Sequence, residues 1–242
     1  MKILYAGDSP IGGPANYLLA ILKFLKADVR HLPPSEILKP SLVQKSYDAI
    51  LLSDFSRSHA PAASQIAISE QVRKGTGLLM IGGWGSFAGP FGGWKGSLVE
   101  KLLPVSCLGR DDRVNFPGGA FMIPKTKHPV FRSLSVSDSP VICGLNQIRP
   151  KRGASVILTA RRILRSGPSL EKREYPLLVI DADPRKRIAA LATDLAPHWC
   201  GGLVDWGKKR LRFRVKNKIW VEVGDRYVRF VSSLLKWLTR TD

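Results

Sequence analysis

The chain is short of cysteine, of long apolar runs and of acid, and each shortage excludes something. Its three cysteines in 242 residues, Cys107, Cys143 and Cys200, are odd in number, scattered and without CxxC spacing. A disulfide framework or a structural zinc is not expected from them, and a reducing cytoplasm is the expected compartment. No apolar run nears the roughly 18 residues that a membrane helix needs, so no membrane partner is expected. The opening run Ile3-Leu4-Tyr5-Ala6 ends at once in Gly7-Asp8-Ser9-Pro10. That pattern reads as a buried first strand and not as a secretory signal. Gly12-Gly13 before a helix could cradle an anion, but the spacing matches neither GxGxxG nor a P-loop. No metal and no cofactor is expected.

Acid is scarce: 19 Asp and Glu stand against 38 Lys and Arg, a formal net charge of +19. Such a balance bears on solubility and partners and not on fold. The densest run, Lys208-Lys209-Arg210-Leu211-Arg212-Phe213-Arg214-Val215-Lys216-Asn217-Lys218, contains no acid and alternates apolar with basic from Leu211 onward. This is a strand with one basic face. The simpler reading is a solvated strand. The alternative is a surface for nucleic acid or an acidic partner built on Lys208, Lys209, Arg210, Arg212 and Arg214, because lysine and arginine neutralise phosphates.

What is present is an ordinary folded composition, with 44% hydrophobic residues. The first 82 residues have the rhythm of a parallel α/β sheet. Strands are expected at 3–6, 28–32, 47–53 and 77–82, with helices over 15–27 and 61–74. In the second helix Ile66 and Val72 are expected to face inward. Strand-like runs recur at 155–160, 177–180 and 188–192, and residues 85–125 read as a long Gly/Pro/aromatic rim loop. The tail 225–240 carries an apolar stripe at helical spacing, with Asp225 as its N-cap. No linker is long enough to separate two domains, so residues 1–242 are read as one.

Ligands of doubly wound sheets bind beyond the carboxyl ends of the strands. The loops there carry Asp8 and Ser9, then Asp54, then Gly82-Gly83-Trp84-Gly85-Ser86-Phe87. The last stands where a nucleophile elbow would, but the Gly-x-Nuc-x-Gly frame puts Trp84 at its centre. Ser86 comes two residues late and is a weak nucleophile candidate. Beyond the run 188–192, Asp194 and His198 lie four apart in a loop, a spacing that suits an acid/base or orienting pair. The simpler reading is that Asp194 caps a turn and His198 packs. His31, His59 and His128 show no pattern and receive no role.

Several segments resemble one family. These are Asp8-Ser9, Ser53-Asp54, Gly82-Gly83-Trp84-Gly85-Ser86-Phe87-Ala88-Gly89, Leu103-Pro104-Val105, His128-Pro129-Val130, Gly144-Leu145-Asn146, Thr193-Asp194-Leu195-Ala196-Pro197-His198-Trp199 and the terminal tryptophan-bearing helix. Together they resemble the putative glutamine amidotransferase-like family, related to class I glutamine amidotransferases and to trehalose-utilisation-type proteins. The resemblance implies a flavodoxin-like α/β fold, a doubly wound and mainly parallel sheet with helices on both faces. Class I amidotransferases use a Cys nucleophile at the elbow with a His and a Glu downstream. Here Trp84 takes the elbow position and no His-x-Glu pair occurs, so glutamine hydrolysis is not expected. The expected site binds a small polar ligand through Asp8, Ser9, Asp54, Gly83, Trp84 and Trp94, with Asp194 and His198 as the acid/base pair. Self-association into a homo-oligomer is left open.

Overall fold

The computed structural model describes residues 1–9, 13–131, 139–164, 169–216 and 218–241. Gly12 of the Gly12-Gly13 pair and Asn217 of the basic run lie outside them. The first four strands are β1 (Lys2–Gly7), β2 (Asp28–Leu32), β3 (Ala49–Ser53) and β4 (Gly77–Ile81). Between them run helices α1 (Ala15–Phe24), α2 (Pro40–Val43) and α3 (Ala62–Arg73). Then follow α4 (Leu98–Leu102), β5 (Val105–Ser106), β6 (Arg113–Pro124), β7 (Val141–Asn146), β8 (Arg149–Pro150), β9 (Ala154–Arg162) and β10 (Tyr175–Asp181). The chain closes with β11 (Ile188–Leu191), α5 (Pro197–Val204), β12 (Arg210–Lys216), β13 (Ile219–Gly224) and α6 (Asp225–Thr239).

Nine strands form one sheet in the order β2-β1-β3-β4-β11-β10-β9-β6-β7. The α/β reading of the first 82 residues holds: β2, β1, β3, β4 and β11 are all parallel. The chain between β4 and β11 adds an antiparallel wing of β10, β9, β6 and β7. Each residue of β3 and β4 is buried, as expected of a parallel sheet covered on both faces. From β1 the chain steps one way to β2, and from β3 it steps the other way to β4. Right-handed crossovers then put α1 on one face and α2 and α3 on the other. Helix α6 joins α1, burying Tyr227, Val231, Leu234, Leu235 and Leu238, each worth about 1.5–3 kcal/mol.

Several expectations are corrected. Ile66 is exposed, whereas Ser64, Gln65, Ala67 and Ile68 of α3 are buried. The polar pair is tolerated because both are satisfied: Ser64 Oγ donates to Leu38 O, and Gln65 Nε2 donates to Ala60 O at 2.8 Å. Asp225 is not the N-cap of α6. Gly224 holds that position, and the Asp225 carboxylate accepts the Lys209 N–H at 3.1 Å instead. The rim loop is shorter than read, since helix α4 and strands β5 and β6 occupy much of 98–124. Pro117, Gly118 and Gly119 hid β6, and the reason is a bulge: its pairing with β7 slips between Asn115 and Ala120. The basic run does form a strand, β12, whose alternate residues Leu211, Phe213 and Val215 turn inward. Among the described residues it pairs only with β13, and it packs on the C-terminal end of α1, where Phe24 meets Phe213 edge-on at 5.6 Å.

Candidate functional site

The reversal of chain direction puts the topological switch point between β1 and β3, where a crevice opens beyond the carboxyl ends. Gly7 pairs with Ser53 in register, so the next residues, Asp8 and Asp54, stand side by side at that crevice. Both have positive φ, 42° and 49°, a left-handed conformation that aspartate tolerates better than most residues. Such strain persists where the surroundings over-determine it. Asp8 N donates to Ser53 O at 3.0 Å. Gly7 has φ 117°, and a Cβ there would lie 1.7 Å from Ser53 O, so only glycine lets the strands close at this point. Asp54 N donates to Ser86 Oγ at 3.0 Å, and its carboxylate accepts the Gly85 N–H.

A cavity of about 940 Å³ opens above these strand ends. Asp8, Asp54, Asp194, His59 and His198 bring it polar groups, and Trp84, Phe91 and Trp199 bring it aromatic wall. Asp194 arrives from the loop after β11. His198 arrives from the first turn of α5 and not from a loop, because Pro197 starts that helix. His198 Nδ1 lies 3.7 Å from Asp194 Oδ2, an ion-pair separation longer than a hydrogen bond. Asp194 Oδ1 also accepts the Ala196 N–H at 3.4 Å, so the same carboxylate caps its turn and faces the imidazole.

Burial sets the electrostatics. It pushes the Asp8 carboxyl up to about 7, against the hydrogen bonds from Ser53 and Tyr5 and with the help of the Asp54 and Asp194 charges. Tyr5 OH donates to Asp8 Oδ2 at 2.5 Å. Burial also raises Asp194, opposed first by His198, while Asp194 in turn raises His198 above the usual imidazole range. Carboxylates that are costly to ionise together with an imidazole that favours its proton make a set able to exchange protons near neutral pH. His59 Nδ1 sits 2.6 Å from Pro34 O, an acceptor only, so the proton is on Nδ1 and Nε2 is left as the accepting nitrogen of the neutral ring.

Over residues 12–228 the sequence matches the family described as putative glutamine amidotransferase. The chain belongs to that family. A cytoplasmic protein of Salmonella typhimurium, STM3548, superposes with a TM-score of 0.70 at 24% identity, covering 97% of this chain and 98% of that one. A second Salmonella typhimurium cytoplasmic protein, STM1381, gives 0.62 at 25% identity over 82% and 90%. A putative ThuA-like protein from Bacteroides uniformis gives 0.57 at 14% identity over 98% and 91%, a likeness of fold alone. Among curated proteins no sequence matches the chain.

In this amidotransferase-family member the loop after β4 is held by a buried network. Asn146 Oδ1 accepts the Gly83 N–H at 2.9 Å, and Asn146 Nδ2 donates to Gly83 O at 3.2 Å and to Asp112 Oδ1 at 2.7 Å. Asp112 Oδ2 then accepts the Ala88 N–H at 2.8 Å. Gly83 and Trp84 line the cavity, and Trp84 is 51% exposed beside Phe91 and under the Arg113 guanidinium, 4.3 Å from its ring centre.

Three expected residues stand elsewhere. Trp94 is fully buried and donates from Nε1 to Phe55 O at 2.9 Å, so it offers no stacking face. Ser86 is 1% exposed, gives its proton to Ile81 O at 2.5 Å and takes the Asp54 N–H, which makes it a clamp between two strand ends. Ser9 is exposed and does not line the cavity; its carbonyl accepts the Ala15 N–H at 3.2 Å. His59, Phe91 and Trp199 also line the cavity, which no motif in the sequence signals. His59 closes the polar loop after β3, and that position was its only signal. Lys208 to Arg214 lie outside the cavity.

Proposed function

We propose that this protein binds a small, hydroxyl-rich polar ligand in the cavity at the switch point, without glutaminase chemistry, and that Asp194 and His198 act on it as an acid/base pair. The convergence of Asp8, Asp54, Asp194 and His198 on one cavity with an aromatic wall carries the reading. A carboxyl pushed up to about 7, as Asp8 is, keeps its proton in a large share of molecules at neutral pH, and that form donates a hydrogen bond to a hydroxyl. Carboxylate oxygens accept, and Trp84 and Phe91 offer apolar faces. The resemblance to trehalose-utilisation-type proteins supports the choice of ligand by fold analogy.

Three observations support the absence of a cysteine nucleophile. Trp84 holds the centre of the elbow frame. None of Cys107, Cys143 and Cys200 is among the described cavity-lining residues. Burial pushes the Cys107 thiol up to about 12 and the Cys200 thiol up as well, so both stay protonated and weakly nucleophilic. A cytoplasmic location belongs to this reading. It is supported by the description of the two Salmonella typhimurium proteins as cytoplasmic.

Calorimetric titration with a panel of monosaccharides and polyols, beside glutamine, tests the reading. At least one hydroxyl-rich compound binds, Trp84→Ala and Asp194→Asn each weaken it tenfold or more, and glutamine releases no ammonia. Ammonia release that disappears on replacing a cysteine would overturn it.

A further inference from the structure

A second cavity, of about 570 Å³, lies at the other end of the sheet, by the first residues of β4, β9 and β11 and the last of β10. About 15 Å of strand separate it from the first, given roughly 3.3 Å per residue. Eight lysines and arginines line it beside two carboxylates. These cations come from separate segments: the end of α3, α4, the turn before β9, the turn before β11 and the residue after α6. No single helix or run puts them there; the fold gathers them.

Some of the charge has an internal use. Lys151 Nζ donates to Glu100 O at 2.5 Å and Leu103 O at 2.8 Å, closing the end of α4, and Arg240 donates to Gly75 O at 3.1 Å. Arg185 pairs with Asp183 at 3.0 Å and Lys186 with Asp181 at 3.3 Å. Arg73, Lys101, Arg152 and Arg187 then remain without a carboxylate partner among the described residues. Arg187 is the most constrained of these. Its guanidinium lies over the Trp237 ring at 5.2 Å and donates to Pro184 O at 2.6 Å, while its buried Nε has no hydrogen-bond partner. A buried unpaired donor is costly because its desolvation is not repaid. Cations that line one cavity also repel one another. The mutual repulsion falls when an anion enters.

We propose that this cavity binds a phosphorylated small molecule, its phosphates taken by Arg73, Lys101, Arg152 and Arg187 and its organic part laid against Leu102, Pro104 and Ile188. The arginine fork matches phosphate oxygens two at a time, and lysine adds point charge. The volume suits a ligand of nucleotide size.

The experiment is a calorimetric titration at 150 mM salt with ATP, pyrophosphate and adenosine. ATP is expected to bind, adenosine is not, and Lys101→Ala with Arg152→Ala together weaken ATP by tenfold or more. Both side chains are exposed, so the variant folds, and urea midpoints check that it does. Pyrophosphate binding as tightly as ATP supports the phosphate contacts and places the source in the free anion; tighter ATP adds the organic contact. An Arg212→Ala, Arg214→Ala variant of the β12–β13 hairpin, which contributes no lining residue to this cavity, leaves binding unchanged. Absence of ATP binding, equal loss in the hairpin variant, or full affinity in the Lys101, Arg152 variant overturns the proposal.

Discussion

Replacing Asp8 with asparagine gives a measurable test of how the switch point is built. The Asp8 carboxyl titrates at about 7 instead of its ordinary 3.8, chiefly because burial disfavours the charged form. Three pH units at about 1.36 kcal/mol each amount to about 4 kcal/mol. The sign follows from which state holds the proton. Below pH 4 the carboxyl is neutral in folded and unfolded chains alike and contributes no slope. Between pH 4 and 7 the unfolded chain has released its proton and the folded one has not, so stability falls as pH rises. Above pH 7 both are ionised and the loss is complete. The Asp8→Asn amide stays neutral throughout and can still accept the Tyr5 hydroxyl through its oxygen. The variant should match the parent near pH 4 and exceed it by up to about 4 kcal/mol at pH 8. Urea unfolding at both values reads this as a midpoint shift at constant m. Asp194 and His198 titrate in both proteins, so their direct contributions cancel in the difference. A gap that changes by less than about 1 kcal/mol between the two pH values would refute the burial argument.

Two further outcomes follow from the same geometry. Asn146→Ala removes the contacts to Gly83 and Asp112 at once and strands buried polar atoms, so unfolding measurements should show a loss of about 3 kcal/mol or more. Thiol labelling in the folded protein should be fast at exposed Cys143 only. Cys107 and Cys200 are buried with raised pKa values and should react only when urea unfolds the chain.

The local patterns were legible where a single period governs the residues. The strands β1, β3 and β4 are short runs buried on both faces, and α6 carries one apolar stripe, so neither needed knowledge of its neighbours. Strand β6 was hidden because its Pro and Gly serve a bulge, and a bulge is defined only against the partner strand. Its apolar side chain alone points Ile66 inward. The packing of α3 instead buries Ser64 and Gln65, whose hydrogen bonds to Leu38 and Ala60 no period reveals. Trp84 and Trp94 look alike in the sequence, and only the path of the loop makes one a cavity wall and the other core.

The sequence by itself determined the α/β alternation, the family and the strand-end position of Asp8, Asp54 and Asp194, since these depend on order along the chain. The tertiary structure decided which of those strand ends meet. Register pairs Gly7 with Ser53 and so sets two strained carboxylates side by side, burial lifts one of them to about 7, and the antiparallel wing supplies Asn146 to hold the loop. It also decided how the excess positive charge is distributed. Charge counted along the chain singles out the run 208–218, whereas charge counted in space gathers cations from separate segments around a second cavity. Proximity across the fold, unlike composition, is a property of packing.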